Sequence, residues 1–227
     1  MFSVCEFGFY GDQIHTCITD DPDVVTRWIG DVERAFLLWL NRLVVGLDIE
    51  WRPNLEPSDA HPVATLQLCV GHDCLVFQIL QAKYVPVSLR AFLANPTYTF
   101  VGVGIKDDAT KLSDDYGLTL SRMVDLRALA MERFRNPSFG YMGLKKLVKV
   151  ILRKELEKPK EITLSRWDDK ELTARQAEYA CLDAFVTFEL GMILQAWLVG
   201  RARLGWCARA NCIPNMICPI LLRQVHS

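Results

Sequence analysis

The chain has 227 residues, of which 51% are hydrophobic and 23% are charged, and its formal net charge is −1. This composition is typical of a globular protein and excludes a mainly disordered chain. The near-neutral charge argues against a protein that coats duplex nucleic acid through a generally basic surface. The length suits one α/β domain with appendages, and no apolar run reaches the roughly 18 residues that a membrane-spanning helix needs.

The N-terminal segment indicates an intracellular protein. It carries the acids Glu6 and Asp12 and has no basic stretch followed by an apolar one, so we expect no secretory signal and a location in the cytosol or nucleus. Eight cysteines are present, but those before the C-terminal tail stand singly. This distribution indicates small buried side chains in a reducing compartment rather than a zinc site or a disulfide framework.

The first elements predicted along the chain are a β-hairpin and a helix. Residues 7–18 contain two short strand-like runs around a turn at Gly11 and Asp12. Asp21 then predicts a helix start, because its side chain can cap free N–H groups while Pro22 takes the first helical position. The apolar residues that follow recur with a helical period.

The central part of the chain predicts strands that alternate with a helix, which is the pattern of an α/β fold. Residues 44–48 form a continuous apolar run that ends in an acid, as a buried strand does when its end reaches a site. Further strands are predicted at residues 65–70, 74–79, 100–104 and 123–126. The strands at residues 65–70 and 74–79 are predicted to form a hairpin around a short turn.

Two further helices carry acidic residues. One is predicted over residues 107–116, where either Asp107 or Asp108 can cap its start. The other begins at residues 173–176, which have the spacing of a capping box, and runs toward Leu198.

Residues 201–227 differ in character from the rest of the chain. They contain four arginines, three cysteines and two prolines but no acid, and their apolar residues follow no clear period. We therefore expect a poorly ordered tail after a folded domain at residues 1–200. The cysteines and histidine of this tail match no zinc-finger spacing.

Acidic side chains recur in the strand and in the two helices. Asp48 and Glu50 are two positions apart on a strand, so both leave the same face. Tyr179 and Asp183 are four positions apart on a helix, so a phenol and a carboxylate reach one point. Each pair by itself has a plainer explanation, as a chance acid pair or a core tyrosine near a surface aspartate. Together with Asp107 or Asp108 of the second helix they make a set of four carboxylates, which repel one another unless divalent cations neutralise them.

A basic stretch precedes the last of these helices. Seven cations lie within sixteen residues: Lys145, Lys146, Lys149, Arg153, Lys154, Lys158 and Lys160. A solvated helix face is the plainer interpretation, but beside a carboxylate site the stretch becomes a guide for phosphates. We select Lys145, Lys146 and Lys149 as candidate nucleic-acid ligands. Trp167 is a further candidate for stacking on a base, with burial ahead of the last helix as the alternative.

The motifs, taken in order, resemble the DEDDy branch of the DnaQ-type 3′-5′ exonucleases. VVGLDIEW is similar to the first motif of that family, GVGIKDDATKL to the second and SRWDDKELTARQAEYACLDAFVTFEL to the third. The resemblance covers residues 8–198 and is strongest to Werner-type exonuclease domains and their small plant relatives, which include exoribonucleases of small-RNA silencing. It implies an RNase H-like fold, in which helices flank a mixed central sheet.

Carried onto this sequence, the resemblance implies a two-metal site. Asp48, Glu50 and Asp183 are expected to hold one Mg²⁺, Asp48 also helps to hold a second, and Mn²⁺ is expected to substitute. Asp108 is expected to act on the metal site mainly through metal-bound water. Tyr179 falls on the tyrosine that orients the attacking water in this branch.

The resemblance also implies an activity. The expected reaction is hydrolysis of single-stranded nucleic acid from its 3′ end to nucleoside 5′-monophosphates, with RNA favoured over DNA. Alternatives are a Werner-type DNA exonuclease, a catalytically silent nucleic-acid-binding or interaction module, and a Mg²⁺-dependent phosphohydrolase of small nucleotides. The relatives further imply a homo-oligomer and protein partners in RNA silencing or DNA repair. Asp107 is a candidate to share the role of its neighbour Asp108.

Overall fold

A seven-stranded mixed sheet lies at the centre of the computed structural model, which describes residues 2–54, 56 and 59–199. The predicted tail at 201–227 lies outside the described residues. In chain order the strands are β1 Phe2–Phe9, β2 Asp12–Thr19, β3 Val44–Trp51, β4 Val63–Val70, β5 Asp73–Phe77, β6 Thr99–Gly102 and β7 Met123–Asp125. Their order across the sheet is β1-β2-β5-β4-β3-β6-β7.

Both strand directions occur in this sheet. β1 and β2 form an antiparallel hairpin, β4 and β5 form a second one, and β3 is antiparallel to β4. The pairs β2 with β5, β3 with β6, and β6 with β7 are parallel. Parallel neighbours need crossover connections, and the helices between these strands provide them. The predicted α/β fold with a mixed sheet is confirmed.

Seven α-helices accompany the sheet in the described part of the chain. They are α1 Pro22–Ala35, α2 Val87–Leu93, α3 Ile105–Tyr116, α4 Leu126–Phe134, α5 Leu144–Leu147, α6 Lys160–Thr163 and α7 Ala174–Ile193. Short 3₁₀ turns lie at Leu37–Arg42, Pro137–Tyr141 and Ala196–Leu198, and a π-helical turn lies at Val148–Leu152. None of these helices has both the length and the apolarity that a membrane crossing requires.

The predicted helix starts of α1 and α7 are confirmed. The Asp21 side chain accepts a hydrogen bond from the backbone N–H of Asp23, with Pro22 as the first helical residue. At α7, Thr173 and Gln176 form the reciprocal hydrogen bonds of a capping box. These caps satisfy N–H groups that have no partner inside the helix.

Two helix boundaries differ from the predictions. α3 begins at Ile105 rather than Asp107, and its N-cap is Gly104 at φ 83°, so neither Asp107 nor Asp108 caps it. α7 ends at Ile193, and the backbone then turns left-handed at Gln195, with φ 56°. The helix therefore does not continue toward Leu198. The sequence pattern also gave no sign of α2, whose seven residues are too few to establish a helical period.

Side chains of β3 alternate between two hydrophobic layers. Val45, Leu47 and Ile49 pack into a core shared with α1, α2 and α3, whereas Val44 packs into the core that α4 and α7 cover. Because side chains alternate along a strand, Asp48 and Glu50 leave the face that α7 covers. The strand thus directs Asp48 and Glu50 to the side opposite Val45, Leu47 and Ile49.

The backbones of β3 and α7 approach each other closely at Gly46. A Cβ placed on Gly46 would lie 2.3 Å from the backbone oxygen of Ala184 and 2.7 Å from the backbone nitrogen of Phe188. No side chain fits in that space, so the glycine lets α7 rest directly on β3. Ala184 follows Asp183 in the chain, and this approach therefore sets how close Asp183 comes to the acids of β3.

We predict that Gly46→Ala lowers the free energy of unfolding by about 3 kcal/mol or more, because the added methyl group forces α7 away from the sheet. Urea unfolding followed by circular dichroism measures the change. Gly8→Ala is the matched control, since a Cβ on this strand glycine would meet only Gln13 Nε2, at 3.8 Å. A Gly46→Ala protein as stable as the Gly8→Ala control would contradict this account of the packing.

Candidate active site

Three of the predicted carboxylates converge where β3 meets α7. Asp48 and Glu50 come from the strand and Asp183 comes from the helix, and one carboxylate oxygen of each lies within 4.8 Å of the others. The Asp183 side chain is 1% exposed. The structure therefore brings together three acids that are up to 135 positions apart in the sequence, as the motif order predicted.

Asp108 lies beside this group and not within it. It is half-buried in the first turn of α3, whereas its neighbour Asp107 is exposed. The negative charge of Asp108 nonetheless raises the pKa values of both Asp48 and Glu50. This placement supports Asp108 over Asp107 as the acid of the second motif.

The start of α3 is held by Asp125 at the end of β7. Asp125 Oδ2 accepts a hydrogen bond of 2.9 Å from the backbone N–H of Gly104 and a second of 2.8 Å from Arg127 Nη2. Sequence reasoning missed the hydrogen bond between Asp125 and Gly104, because the two residues lie 21 positions apart in the chain. The pair fixes the turn that carries Asp108.

Burial and mutual repulsion disfavour ionisation of the acids. Burial, followed by the charge of Asp183, raises the pKa of Asp48 well above its usual value. Burial and the charge of Asp48 do the same for Glu50. Burial also raises the pKa of Asp183, although the Lys158 ammonium opposes that effect. A cation placed among the three would remove this penalty.

The donor set fits a divalent metal ion. All three groups offer carboxylate oxygens, which Mg²⁺ and Mn²⁺ accept as ligands. Both carboxylate oxygens of Asp183 are buried and accept no hydrogen bond of normal geometry. Buried polar atoms normally have partners, and the partner found at Asp183 Oδ2 is a cation, the Lys158 ammonium.

Tyr179 lies one helical turn before Asp183, as predicted. Its ring is 6% exposed and lies 5.9 Å from the Trp167 ring, measured between centroids. Its hydroxyl oxygen lies 3.4 Å from Thr163 Oγ1. Burial and the charge of Asp183 raise the pKa of Tyr179, so the phenol keeps its proton at neutral pH.

The basic stretch does not form one continuous surface. Lys145 and Lys146 are exposed on α5, as a role in binding phosphate requires. Lys149 is exposed too, but its Nζ lies 2.7 Å from Glu155 Oε1. Trp167 is 1% exposed and packs in the core, which favours the alternative of burial over stacking on a base.

Lys158 enters the acid cluster, although the sequence pattern placed it only among the phosphate guides. Its Nζ lies 2.5 Å from Asp183 Oδ2 and 5.1 Å from the centre of the Tyr179 ring. Burial lowers the pKa of Lys158, but the charges of Asp183 and Asp48 outweigh that effect and raise it. The ammonium is therefore charged throughout the neutral range.

The fold and the acid cluster together define an RNase H-like nuclease domain. A sequence profile described as 3′-5′ exonuclease matches residues 24–198, which include β3, α3 and α7. The chain belongs to this 3′-5′ exonuclease family.

Curated relatives agree with this assignment. The chain is 36% identical over 153 residues to a 3′-5′ exonuclease of Arabidopsis thaliana, a match that covers 66% of this chain and 52% of the relative. It is 37% identical over 143 residues to the mouse bifunctional 3′-5′ exonuclease/ATP-dependent helicase WRN, covering 63% of this chain and 10% of that protein. The human exonuclease 3′-5′ domain-containing protein 2 is 36% identical over 163 residues, a match that covers 70% of this chain and 26% of the human protein. The chain thus spans about half the length of the plant relative and less of the other two.

Solved structures share the fold. Escherichia coli RNase D, an exoribonuclease, superposes with a TM-score of 0.62 at 20% identity, covering 80% of this chain and 46% of RNase D. The EXO domain of Aedes aegypti Nibbler gives the same TM-score at 22% identity, covering 80% of this chain and 87% of that domain.

The titration of Asp108 provides a test of the site's electrostatics. Burial, with repulsion from Asp107 and Asp125, raises its pKa to about 7. The folded protein therefore binds a proton that the unfolded chain releases near pH 4, so stability from this group falls as pH rises from about 4 to 7.

We predict that Asp108→Asn removes this loss of stability with rising pH. In EDTA, the free energy of unfolding of the variant should rise by on the order of 2 kcal/mol relative to that of wild type between pH 4 and pH 7. This value allows for the partial exposure of the Asp108 side chain, which weakens the effect. Urea unfolding at a series of pH values measures it. Asp114→Asn, at an exposed position of the same helix, is the control. Parallel pH curves for wild type and Asp108→Asn would contradict the placement of Asp108.

Proposed function

We propose that this chain is a metal-dependent 3′-5′ exonuclease that hydrolyses single-stranded nucleic acid, RNA in preference to DNA, to nucleoside 5′-monophosphates. The observation that carries the proposal is the convergence of Asp48, Glu50 and Asp183, whose carboxylate oxygens lie within 4.8 Å of one another. Membership of the 3′-5′ exonuclease family supports the reaction class.

The carboxylates would hold the metal ions. Asp48, Glu50 and Asp183 would bind one divalent cation, Mg²⁺ with Mn²⁺ as a substitute, and Asp48 with Asp108 would serve a second. When bound, such cations acidify the attacking water and stabilise the charge that develops on the leaving oxygen.

The remaining residues of the site position the reactants. The Tyr179 hydroxyl orients the attacking water, because it is protonated, anchored near Thr163 and one helical turn from Asp183. Lys145 and Lys146 lie on α5, which packs against α7, and their charges guide the phosphate backbone of a single strand toward the acids.

RNA is proposed as the substrate on the basis of the resemblance to small plant exoribonucleases and the net charge of −1. A near-neutral chain is poorly suited to strong binding of a duplex. Distinction of RNA from DNA requires a contact with the 2′-hydroxyl group. We further propose a homo-oligomer, since a small nuclease domain gains substrate-binding surface by self-association.

The proposal is tested with 5′-labelled single-stranded oligonucleotides of matched RNA and DNA sequence, incubated with Mg²⁺ or with EDTA. The expected result is a metal-dependent ladder of products that shorten from the 3′ end. The ladder is expected to form faster on RNA than on DNA. A faster ladder on DNA would select the Werner-type alternative. Absence of a ladder on both oligonucleotides would contradict the proposed exonuclease activity and favour the catalytically silent binding module.

We predict that Asp48→Asn lowers the rate of hydrolysis by about three orders of magnitude, because loss of a cation ligand removes several kcal/mol of transition-state stabilisation. The fold should persist in EDTA, since the substitution relieves repulsion among buried acids. The rate is measured on the labelled RNA, and unfolding is monitored by circular dichroism. Asp114→Asn, which changes an exposed acid on α3, is expected to retain the wild-type rate. Turnover of Asp48→Asn within tenfold of that control would refute the assignment of the site.

Tyr179→Phe provides a separate test of water orientation. We predict that kcat falls by about 10- to 100-fold while KM changes little, because only the hydroxyl that positions the water is lost. Tyr98→Phe is the control, as it deletes another buried hydroxyl, which donates to Glu33 Oε1 at 2.9 Å. An unchanged kcat in Tyr179→Phe would reduce this tyrosine to a packing role.

A further inference from the structure

Lys158 reaches the acid cluster from an irregular segment between the π-helical turn and α6. Its side chain is 28% exposed, whereas the Asp183 side chain that it contacts is 1% exposed. The Lys158 side chain is thus partly in contact with solvent, while its ammonium contacts a buried carboxylate. A long flexible stem allows such a group to move between protein and solvent.

Neighbouring residues hold this segment in place. Lys154 Nζ lies 2.9 Å from Asp12 Oδ2, Lys149 pairs with Glu155, and Leu156 is 2% exposed in the core. Pro159 follows Lys158 and restricts its backbone to extended conformations. Lys149 and Lys154 have partners outside the acid cluster, whereas Lys158 contacts Asp183 within it.

The ammonium and a divalent cation would both be bound by the Asp183 carboxylate. Asp183 Oδ2 already lies 2.5 Å from Lys158 Nζ, and Asp183 belongs to the group of three acids suited to a metal ion. Two cations in contact with one carboxylate oxygen repel each other strongly at that range. A metal ion bound to Asp183 and the Lys158 ammonium in its present position would therefore compete for this carboxylate.

We propose that Lys158 is a resident cation that competes with the divalent metal ion for the carboxylate cluster. In the metal-free protein it offsets part of the repulsion among Asp48, Glu50 and Asp183, and it leaves toward solvent when the metal ion binds. Lys158 thereby raises the metal concentration at which the site fills. The inference rests on the proposed function only in taking the three carboxylates as a divalent-cation site.

The test is direct binding of Mn²⁺ to the full chain, measured from the electron paramagnetic resonance signal of free Mn²⁺. Lys158→Met removes the charge and keeps most of the stem. We predict that it binds Mn²⁺ about tenfold more tightly than wild type or better, because one opposing positive charge is lost. Lys158→Arg keeps the charge and should bind close to wild type. Lys160→Met is the matched control, since it removes an exposed lysine charge two positions away.

Thermal unfolding provides a second measurement on the same proteins. In EDTA, Lys158→Met should unfold at a lower temperature than Lys160→Met, because the buried acids lose their counter-ion. Addition of Mn²⁺ should raise its Tm by more than it raises that of wild type, as tighter binding to the folded state requires. If Lys158→Met folds only with Mn²⁺, that result supports the competition in its strongest form. Failure to fold in either condition contradicts it, since the metal ion is expected to replace the ammonium.

The outcomes separate this inference from the proposed function. Equal or weaker Mn²⁺ affinity in folded Lys158→Met would overturn the competition while leaving the metal site in place. Tighter affinity in both Lys158→Met and Lys160→Met would also overturn it, as a general effect of charge. Absence of Mn²⁺ binding to wild type and to Lys158→Met alike would contradict the metal site itself.

Discussion

Repulsion among buried carboxylates is the constraint on which the rest of this structure depends. Asp48, Glu50 and Asp183 have oxygens within 4.8 Å of one another, and burial with mutual repulsion raises the pKa values of Asp48 and Glu50. Such a cluster opposes folding unless positive charge is supplied. Lys158 supplies one charge, and the remaining deficit is the physical basis of the proposed divalent-cation site.

Rigid elements hold the acids against this repulsion. β3 lies inside a seven-stranded sheet with an apolar layer on each side, and α7 rests on it where Gly46 leaves no room for a side chain. The positions of the carboxylates are therefore set by backbone packing. Preorganisation of this kind allows a site to bind cations and phosphate without rearranging during the reaction. The flexible side chain of Lys158 comes instead from the irregular segment between the π-helical turn and α6.

The parts of the site that depend on local pattern could be predicted from the sequence. The period of a strand places Asp48 and Glu50 on one face, and the period of a helix does the same for Tyr179 and Asp183. The order of the motifs along the chain then indicated that the two pairs belong to one site. Lys158 could not be placed, because its approach depends on the path of an irregular segment. The start of α3 was misplaced because its stabilising partner, Asp125, lies 21 positions away. The burial of Trp167 likewise depends on tertiary packing against Tyr179.

The most direct test of the account is a crystal structure of the protein soaked in Mn²⁺, with data collected at a wavelength where manganese scatters anomalously. The account predicts an anomalous peak bonded to Asp48, Glu50 and Asp183, with the Lys158 ammonium moved away from Asp183 Oδ2. A peak elsewhere, or no peak while Lys158 keeps its contact with Asp183, would contradict the central claim that these acids form a divalent-cation site.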